Sequence, residues 1–246
     1  MRTTLVRLLI IIAGVGTMLS CDKSTDGGSA GDSSSAGKGG SMARFTILNN
    51  HLYTVDNQKL KVFRITAADT PAFVKSLPVG FAIETIFARN NTLFMGSSNG
   101  MYIYDISSPI SPVLQSFFQH IYSCDPVVAN DTLAYLTMRT ETFCGRNTNE
   151  LQVIDIKNRK SPRYVSRVQM VKPYGLGLDG DKLFVCDNGL KVFSLADPMA
   201  PLLTKGFNIP AIDVIPDANL LLVLATDGLH QYKYQNDTVT FLSHLQ

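Results

Sequence analysis

The chain has 246 residues, of which 45% are hydrophobic and 17% charged, and its formal net charge is +2 at pH 7. Without the first 20 residues, which hold Arg2 and Arg7, 20 basic residues balance 20 acidic ones. This neutral balance excludes an electrostatic case for binding nucleic acid, which needs a clustered basic face.

Residues 1–20 have the features of a secretory signal peptide. Two arginines precede an apolar run, residues 8–19, that is shorter than the roughly 20 residues of a membrane-spanning helix. The sequence Met18-Leu19-Ser20-Cys21 resembles a bacterial lipobox. That resemblance implies cleavage before Cys21 and lipidation of Cys21 with a diacylglycerol and a further acyl chain such as palmitate. Cleavage after Ser20 by an ordinary signal peptidase and an uncleaved anchor are the alternatives.

Residues 21–42 are rich in Gly and Ser and show no apolar period. Such a segment cannot bury a core. We predict a flexible tether of roughly 25 Å root-mean-square length between the lipidated cysteine and a folded domain, residues 43–246.

The folded domain is built from repeats of about 40 residues. Each repeat contains a short recurring motif. In residues 100–112 this motif consists of a turn, an apolar strand, the acidic Asp105, a last aliphatic residue and a proline. The corresponding prolines lie 41, 50 and 39 residues apart, at Pro71, Pro112, Pro162 and Pro201. Strand-type repeats of this period are typical of a β-propeller.

Each repeat predicts four short strands joined by turns. Asn-Gly and Asp-Gly pairs between apolar runs are strong hairpin signals, because these residues tolerate positive φ. The predicted turns include Asn49-Asn50, Asn90-Asn91, Asp179-Gly180, Asn188-Gly189 and Asp217-Ala218. We therefore predict an all-β fold, a five-bladed β-propeller of four-stranded antiparallel blades. A β-sandwich or a curved open array is the alternative.

The third repeat carries an insertion, residues 142–149, where its siblings have a two-residue turn, and Cys124 lies just before its first strand. In an up-and-down meander, the turn between strands two and three emerges at the same end as the connection into strand one. Cys124 and Cys144 are therefore expected to meet and form a disulfide, with two free thiols or a metal-binding pair as alternatives. Cys186 lies in an apolar run and is predicted to be buried.

The motif Val153-Ile154-Asp155-Ile156 resembles the LVIVD repeat of bacterial propeller-like surface lipoproteins. Residues 124–128 with 142–145, and residues 173–181, also resemble that family. The resemblance covers residues 44–201 and fades in the fifth repeat, where Lys233 replaces the acidic residue. It implies a β-propeller on an exported lipoprotein and brings no catalytic residues.

Motifs for catalysis or metal binding are not evident. The four histidines, His51, His120, His230 and His244, fall at different points of the repeat and are not predicted to cluster. The sequence contains no Cys-x-x-Cys pair, calcium loop or phosphate loop. We predict no cofactor and no metal.

Propeller geometry still predicts a binding face, because the first strands line the channel and its mouth lies beside the turns between strands two and three. The mouth should collect Glu84, Asp125, Tyr174 and Asp213, and the rim His120, Tyr122, Arg139, Arg146 and Asp187. Carboxylates around a low-dielectric channel could bind a cation or a basic group. Simple solvation of these loop residues is the alternative.

These patterns favour a recognition or scaffold module for a protein, peptide or glycan, displayed as a monomeric domain. The expected location is the cell envelope, at the outer membrane or cell surface, with a periplasmic face as the alternative. Enzyme activity is uncertain. The competing hypothesis is a propeller hydrolase or lyase that uses Asp125, His120 and either Arg139 or Arg146.

Overall fold

Twenty β-strands form the described part of the protein, a computed structural model that describes residues 39–66, 70–120, 126–139, 148–235 and 238–246. These residues belong to the unit Ser34–Gln246, and a separate unit, Met1–Ser33, lies outside them. The predicted signal peptide, Cys21 and most of the tether therefore lie outside the described residues. No helix in the described ranges is long and apolar enough to cross a membrane.

The strands follow one another in groups of four, which we call blades 1 to 5. Blade 1 contains β1 (Phe45–Leu48), β2 (His51–Val55), β3 (Lys59–Ile65) and β4 (Pro71–Pro78). Blade 2 contains β5 (Ile83–Arg89), β6 (Thr92–Ser97), β7 (Gly100–Asp105) and β8 (Val113–Gln119). Blade 3 contains β9 (Val127–Ala129), β10 (Leu133–Met138), β11 (Glu150–Asp155) and β12 (Arg163–Gln169). Blade 4 contains β13 (Pro173–Asp179), β14 (Lys182–Asp187), β15 (Leu190–Ser194) and β16 (Leu202–Phe207). Blade 5 contains β17 (Ala211–Asp217), β18 (Leu220–Ala225), β19 (Gly228–Gln235) and β20 (Thr238–Leu245).

Each blade is one antiparallel sheet whose strands pair in chain order. The first strands contact one another in the series β1, β5, β9, β13 and β17. This arrangement is a five-bladed β-propeller and confirms the predicted fold class. The first strand of each blade is therefore the inner strand, and the fourth is the outer strand.

The predicted turns explain why the chain reverses where it does. Asn49 and Asn50 have φ values of 50° and 57°, and Asn188 has φ 47° before Gly189 at 123°. Asn and Gly tolerate this left-handed conformation better than other residues. The turn predicted at Asp217-Ala218 lies one residue later in the structure, where Ala218 and Asn219 have positive φ.

Among the described residues, four buried hydrophobic clusters join consecutive blades. They lie between blades 1 and 2, 2 and 3, 3 and 4, and 4 and 5. Strands β6 and β10 are buried at every residue, because a neighbouring blade covers each face of their sheet. Cys186 belongs to the cluster between blades 4 and 5 and is fully buried, as predicted.

The junction between blade 5 and blade 1 is different. Among the described residues, no buried hydrophobic cluster spans it, and Leu224, on the face of β18 turned away from blade 4, is 48% exposed. Polar contacts link the two blades here instead. Ser41 and Met42, just before β1, contact Asp213 of β17. A buried carboxylate thus links the last blade to the segment that leads into the first blade.

The repeated motif has a structural role. Its acidic residue ends the third strand and caps the following turn: Asp105 accepts a hydrogen bond of 2.7 Å from the backbone N–H of Ser107, and Asp155 one of 2.9 Å from Lys157. Tyr53 donates to the carbonyl oxygen of Pro109 in the next blade at 3.0 Å. The motif therefore stabilises turns and blade contacts.

Candidate functional site at the channel mouth

A cavity of about 190 Å³ opens at the mouth of the central channel. Its walls come from the segment before β1, from β5, from the residue before β9, from the residue after β10 and from the start of β13. They are formed by Met42, Arg44, Glu84, Thr85, Pro126, Arg139, Pro173 and Tyr174. The structure thus brings together Glu84, Arg139 and Tyr174 of the predicted face, and adds Arg44 and Met42.

Bulges in two inner strands place Glu84 and Tyr174 at the cavity. In blade 2 the pairing passes from Ile83 with Ser97 to Thr85 with Gly96, which leaves Glu84 as an extra residue. In blade 4 the register shifts between Pro173 and Leu176, and Tyr174 lies within that shift. A bulge releases a residue from the ladder and re-aims its side chain, which here turns towards the channel.

Tyr174 is held from several sides. Its carbonyl oxygen accepts a hydrogen bond of 2.5 Å from Oγ1 of Thr137 in blade 3. The Cζ atom of Arg139 lies 4.0 Å from the centroid of its ring, and Nζ of Lys172 lies 5.7 Å from that centroid. Both cations are within the range of a cation–π interaction, and the stacked guanidinium is oriented by the ring.

Asp187 positions the loop that carries Lys172 to the site. Its side chain is fully buried and accepts hydrogen bonds from the backbone N–H groups of Val171 at 3.0 Å and Lys172 at 2.5 Å. Nζ of Lys191 lies 2.5 Å from its second oxygen. The sequence predicts Asp187 as a rim residue of the binding face; in the structure, backbone donors and a lysine already use both of its carboxylate oxygens.

Asp213 also differs from the prediction. It is 7% exposed and accepts hydrogen bonds from Oγ of Ser41 at 2.9 Å and from the backbone N–H of Met42 at 3.2 Å. A Cβ atom on Gly40 or on Gly175 would lie 2.1 Å from its carboxylate oxygens, so only glycine fits on either side. Burial raises the pKa of Asp213, and the hydrogen bonds from Met42 and Ser41 act in the opposite direction and lower it. The carboxylate holds segment 40–42 over blade 5 and does not line the cavity.

None of the remaining predicted residues is a described residue of the cavity wall. His120 follows the outer strand β8, and its backbone N–H donates a hydrogen bond of 3.3 Å to the carbonyl oxygen of Asn99. It is not among the described residues that line the cavity. Tyr122, Asp125 and Arg146 lie outside the described residues, as do Cys124 and Cys144. Their predicted place beside the mouth and the predicted disulfide stay predictions.

The prediction that the histidines do not cluster is wrong for one pair. His230 and His244 are directly opposite each other on β19 and β20, with ring centroids 4.1 Å apart, and Asp227 lies beside them. The sequence contains one indication that these two histidines are close together, because both lie in the last predicted hairpin. Their pairing depends on the strand register, which the sequence pattern does not give.

No protein-family model matches this sequence, and no curated protein matches it. Solved structures do. A protein from Lactobacillus plantarum is 14% identical, with a TM-score of 0.62 over 80% of this chain and 72% of its own. A functionally unknown protein from Desulfotomaculum acetoxidans is 12% identical, with a TM-score of 0.63 over 85% and 68%. AztD from Citrobacter koseri is 11% identical, with a TM-score of 0.59 over 78% and 58%. At these identities the likeness shows the fold alone.

Proposed function

We propose that this β-propeller is a lipid-anchored recognition module of the cell envelope, which binds a carboxylate-bearing unit of a protein, peptide or glycan at the channel mouth. The observation that carries the proposal is the guanidinium of Arg139 stacked at 4.0 Å on the ring of Tyr174 inside the cavity. A stacked arginine keeps its N–H donors in a fixed fork that matches a carboxylate.

The charge of the described cavity favours an acidic ligand. Arg44 and Arg139 line it and Lys172 approaches Tyr174 from the adjacent loop, against one carboxylate, Glu84. Arg139 and Tyr174 are both half-buried, and partial desolvation strengthens a charge-assisted hydrogen bond.

The size of the cavity favours one unit of a longer chain. Its volume of about 190 Å³ is below the roughly 300–1,000 Å³ of typical small-molecule pockets. A single sugar ring or amino-acid side chain fits such a volume, while the rest of the ligand would lie across the surrounding face. Recognition of a polymer therefore fits better than capture of a free metabolite.

The hydrolase or lyase hypothesis is weaker at this site. It uses His120 together with Asp125; His120 is not among the described residues that line the cavity, and Asp125 lies outside the described residues. A general base must come within hydrogen-bond reach of its substrate.

The anchoring part of the proposal rests on the lipobox-like sequence before Cys21 and on the resemblance to LVIVD-repeat lipoproteins. Several acyl chains hold a protein firmly on a membrane. Mass spectrometry of the mature N-terminus of the native protein tests this: a diacylglyceryl-modified, acylated Cys21 is expected. An unmodified N-terminus after Ser20, together with full solubility of the protein, would contradict it.

The binding part is tested with defined probes. Hexaglutamate and a galacturonic acid trisaccharide are titrated against the detergent-solubilised full chain, with hexaglutamine and a neutral trisaccharide as uncharged counterparts. We expect at least one acidic probe to bind, and its affinity to fall at least about tenfold in Arg139→Ala and Tyr174→Ala, because each loses a contact worth about 1–3 kcal/mol.

Arg163 and Tyr164 supply matched controls. Both are exposed on the outer strand β12, so Arg163→Ala and Tyr164→Ala remove the same residue types away from the mouth. Their affinity for the probe should equal that of the unmodified protein. Equal losses in control and cavity variants, or no binding of either acidic probe, would contradict recognition of a carboxylate at this site.

A further inference from the structure

A second site lies in blade 5, where three metal-ligating groups converge. Oδ1 of Asp227 lies 2.8 Å from Nε2 of His230, and the backbone oxygen of Asp227 lies 3.0 Å from Nε2 of His244. One ligand atom of each of the three side chains lies within 4.8 Å of the others. The Nε2 atoms of His230 and His244 therefore both point towards Asp227.

The fold brings these groups together before any ligand arrives. His230 and His244 are cross-strand partners on β19 and β20, and their rings stack at 4.1 Å with an interplanar angle of 22°. Asp227 is in the turn that leads into β19. Groups fixed on paired strands lose little entropy when they bind an ion together.

Gly228 keeps the space around these groups open. It has φ 137°, and a Cβ atom there would lie 2.9 Å from Nε2 of His244 and 2.2 Å from the carbonyl oxygen of Leu245. Any other residue would be strained in this conformation and would push against the second histidine.

The site has different surroundings on its two sides. His230 is 8% exposed and packs near Tyr232 and Phe241, whereas the side chain of Asp227 is 54% exposed. An ion could therefore enter from the solvent at Asp227 and meet an apolar wall behind His230.

We propose that Asp227, His230 and His244 bind a divalent first-row transition metal, with Zn²⁺ as the best fit. Two imidazole nitrogens and one carboxylate oxygen form a three-ligand set that leaves the fourth tetrahedral position to water or to an outside donor. Nitrogen ligands select Zn²⁺ and its neighbours over Mg²⁺ and Ca²⁺, which prefer oxygen. In a tetrahedral zinc site the ligand atoms lie roughly 3.3 Å apart, so small side-chain rotations would complete the geometry.

This metal site is separate from the cavity at the channel mouth, since none of its three residues lines that cavity. One feature limits its affinity. Nδ1 of His230 is buried without a hydrogen-bond partner among the described residues. Metal-ligating histidines usually donate this second N–H to an acceptor that strengthens binding. We therefore expect reversible binding rather than a permanently occupied structural site.

The test uses the full chain in detergent, purified without a polyhistidine tag and stripped with a chelator. Zn²⁺, Co²⁺, Mg²⁺ and Ca²⁺ are titrated while the thermal unfolding midpoint is followed, and the visible spectrum is recorded for Co²⁺. A ligand that binds the native state raises the unfolding midpoint. We expect Zn²⁺ and Co²⁺ to raise it at one equivalent, Mg²⁺ and Ca²⁺ to leave it unchanged, and Co²⁺ to give a tetrahedral spectrum.

Variants assign the effect to these residues. His244→Gln and Asp227→Asn change partly exposed groups, so both should fold, and each should weaken Zn²⁺ binding at least about tenfold. His51→Gln is the matched control, because His51 is a half-buried strand histidine in blade 1. No response to Zn²⁺ or Co²⁺ in large molar excess would overturn the proposal. So would a response that persists in the Asp227→Asn, His244→Gln double variant, because the ion would then bind elsewhere.

Discussion

Oγ of Ser41 donates a hydrogen bond of 2.9 Å to Oδ1 of Asp213, across 172 residues of sequence. The same Ser41 hydroxyl accepts a hydrogen bond of 2.8 Å from the backbone N–H of Leu176, so one short polar residue connects the start of the folded domain with blades 4 and 5. This contact lies at the junction where the described residues form no buried hydrophobic cluster. We infer that it carries much of the attachment between the first and last blades.

Asp213→Ala should lower the free energy of unfolding by about 2 kcal/mol, because the Ser41 hydroxyl and the backbone N–H groups of Met42 and Val214 lose their acceptor. Urea denaturation at pH 7 measures this loss. Asp181→Asn, in an exposed turn of blade 4, is the control and should change stability by less than about 0.5 kcal/mol. A loss no larger than that of the control would contradict the role of Asp213 in joining the blades.

The same residue predicts a pH dependence. Its carboxyl group has a folded-state pKa raised above 3.8, so its contribution is fully present below that pH and is lost as the pH rises through the raised value. The stability of the unmodified protein relative to Asp213→Asn should therefore decrease as the pH rises above about 4. Urea midpoints across this range give the difference, and an opposite slope would show that the hydrogen bonds outweigh burial.

Asp187→Ala should cost about 3 kcal/mol, because it leaves Lys191 and two backbone donors of the loop before Tyr174 without their buried acceptor. It should also weaken binding of an acidic probe, since Tyr174 loses its support. Asp155→Ala removes an exposed turn cap and should cost only about 0.5–1.5 kcal/mol, with unchanged probe binding. Equal effects of both substitutions on binding would contradict the positioning role.

Alkaline pH should unfold the protein partly through its buried tyrosines. Burial raises the pKa of Tyr53 and that of Tyr135 to about 12, so the stability that each provides is complete below pH 10 and is lost as the pH rises towards 12. Tyr53→Phe should cost about 1 kcal/mol at pH 7, because Pro109 loses its donor, and should reduce the alkaline loss. Tyr164→Phe, at a half-exposed position, should leave the alkaline profile unchanged.

Thiol counting tests the cysteine assignments together. Cys186 is fully buried, and burial raises its pKa well above the usual value, so it should not react with a thiol reagent in the folded protein. After unfolding without reductant, one thiol should react if Cys124 and Cys144 form a disulfide and Cys21 carries a thioether-linked lipid. Three reactive thiols would contradict the disulfide. Its removal by Cys124→Ser should cost about 3 kcal/mol.

The blade number, the strand order and most turns could be predicted because they depend on short-range signals. A period near 40 residues, alternating apolar runs and Asn-Gly or Asp-Gly pairs each act within one repeat. Glu84, Arg139 and Tyr174 could also be assigned to one face, because an up-and-down blade fixes which ends of its strands lie together.

The sequence by itself therefore determined the propeller and the face that bears its cavity. The tertiary structure decided which polar groups are already occupied by hydrogen bonds within the protein. Asp213 and Asp187 look like binding residues in the sequence, but Asp213 accepts hydrogen bonds from the distant Ser41 and Asp187 from the nearby loop that contains Lys172. The histidine pair depends on a bulge: Tyr232 pairs with Phe241, the register then shifts, and His230 consequently pairs with His244 instead of Ser243. A shift of one residue turns every later side chain to the other face of the sheet, so the alternating pattern of the two strands alone does not specify this pairing.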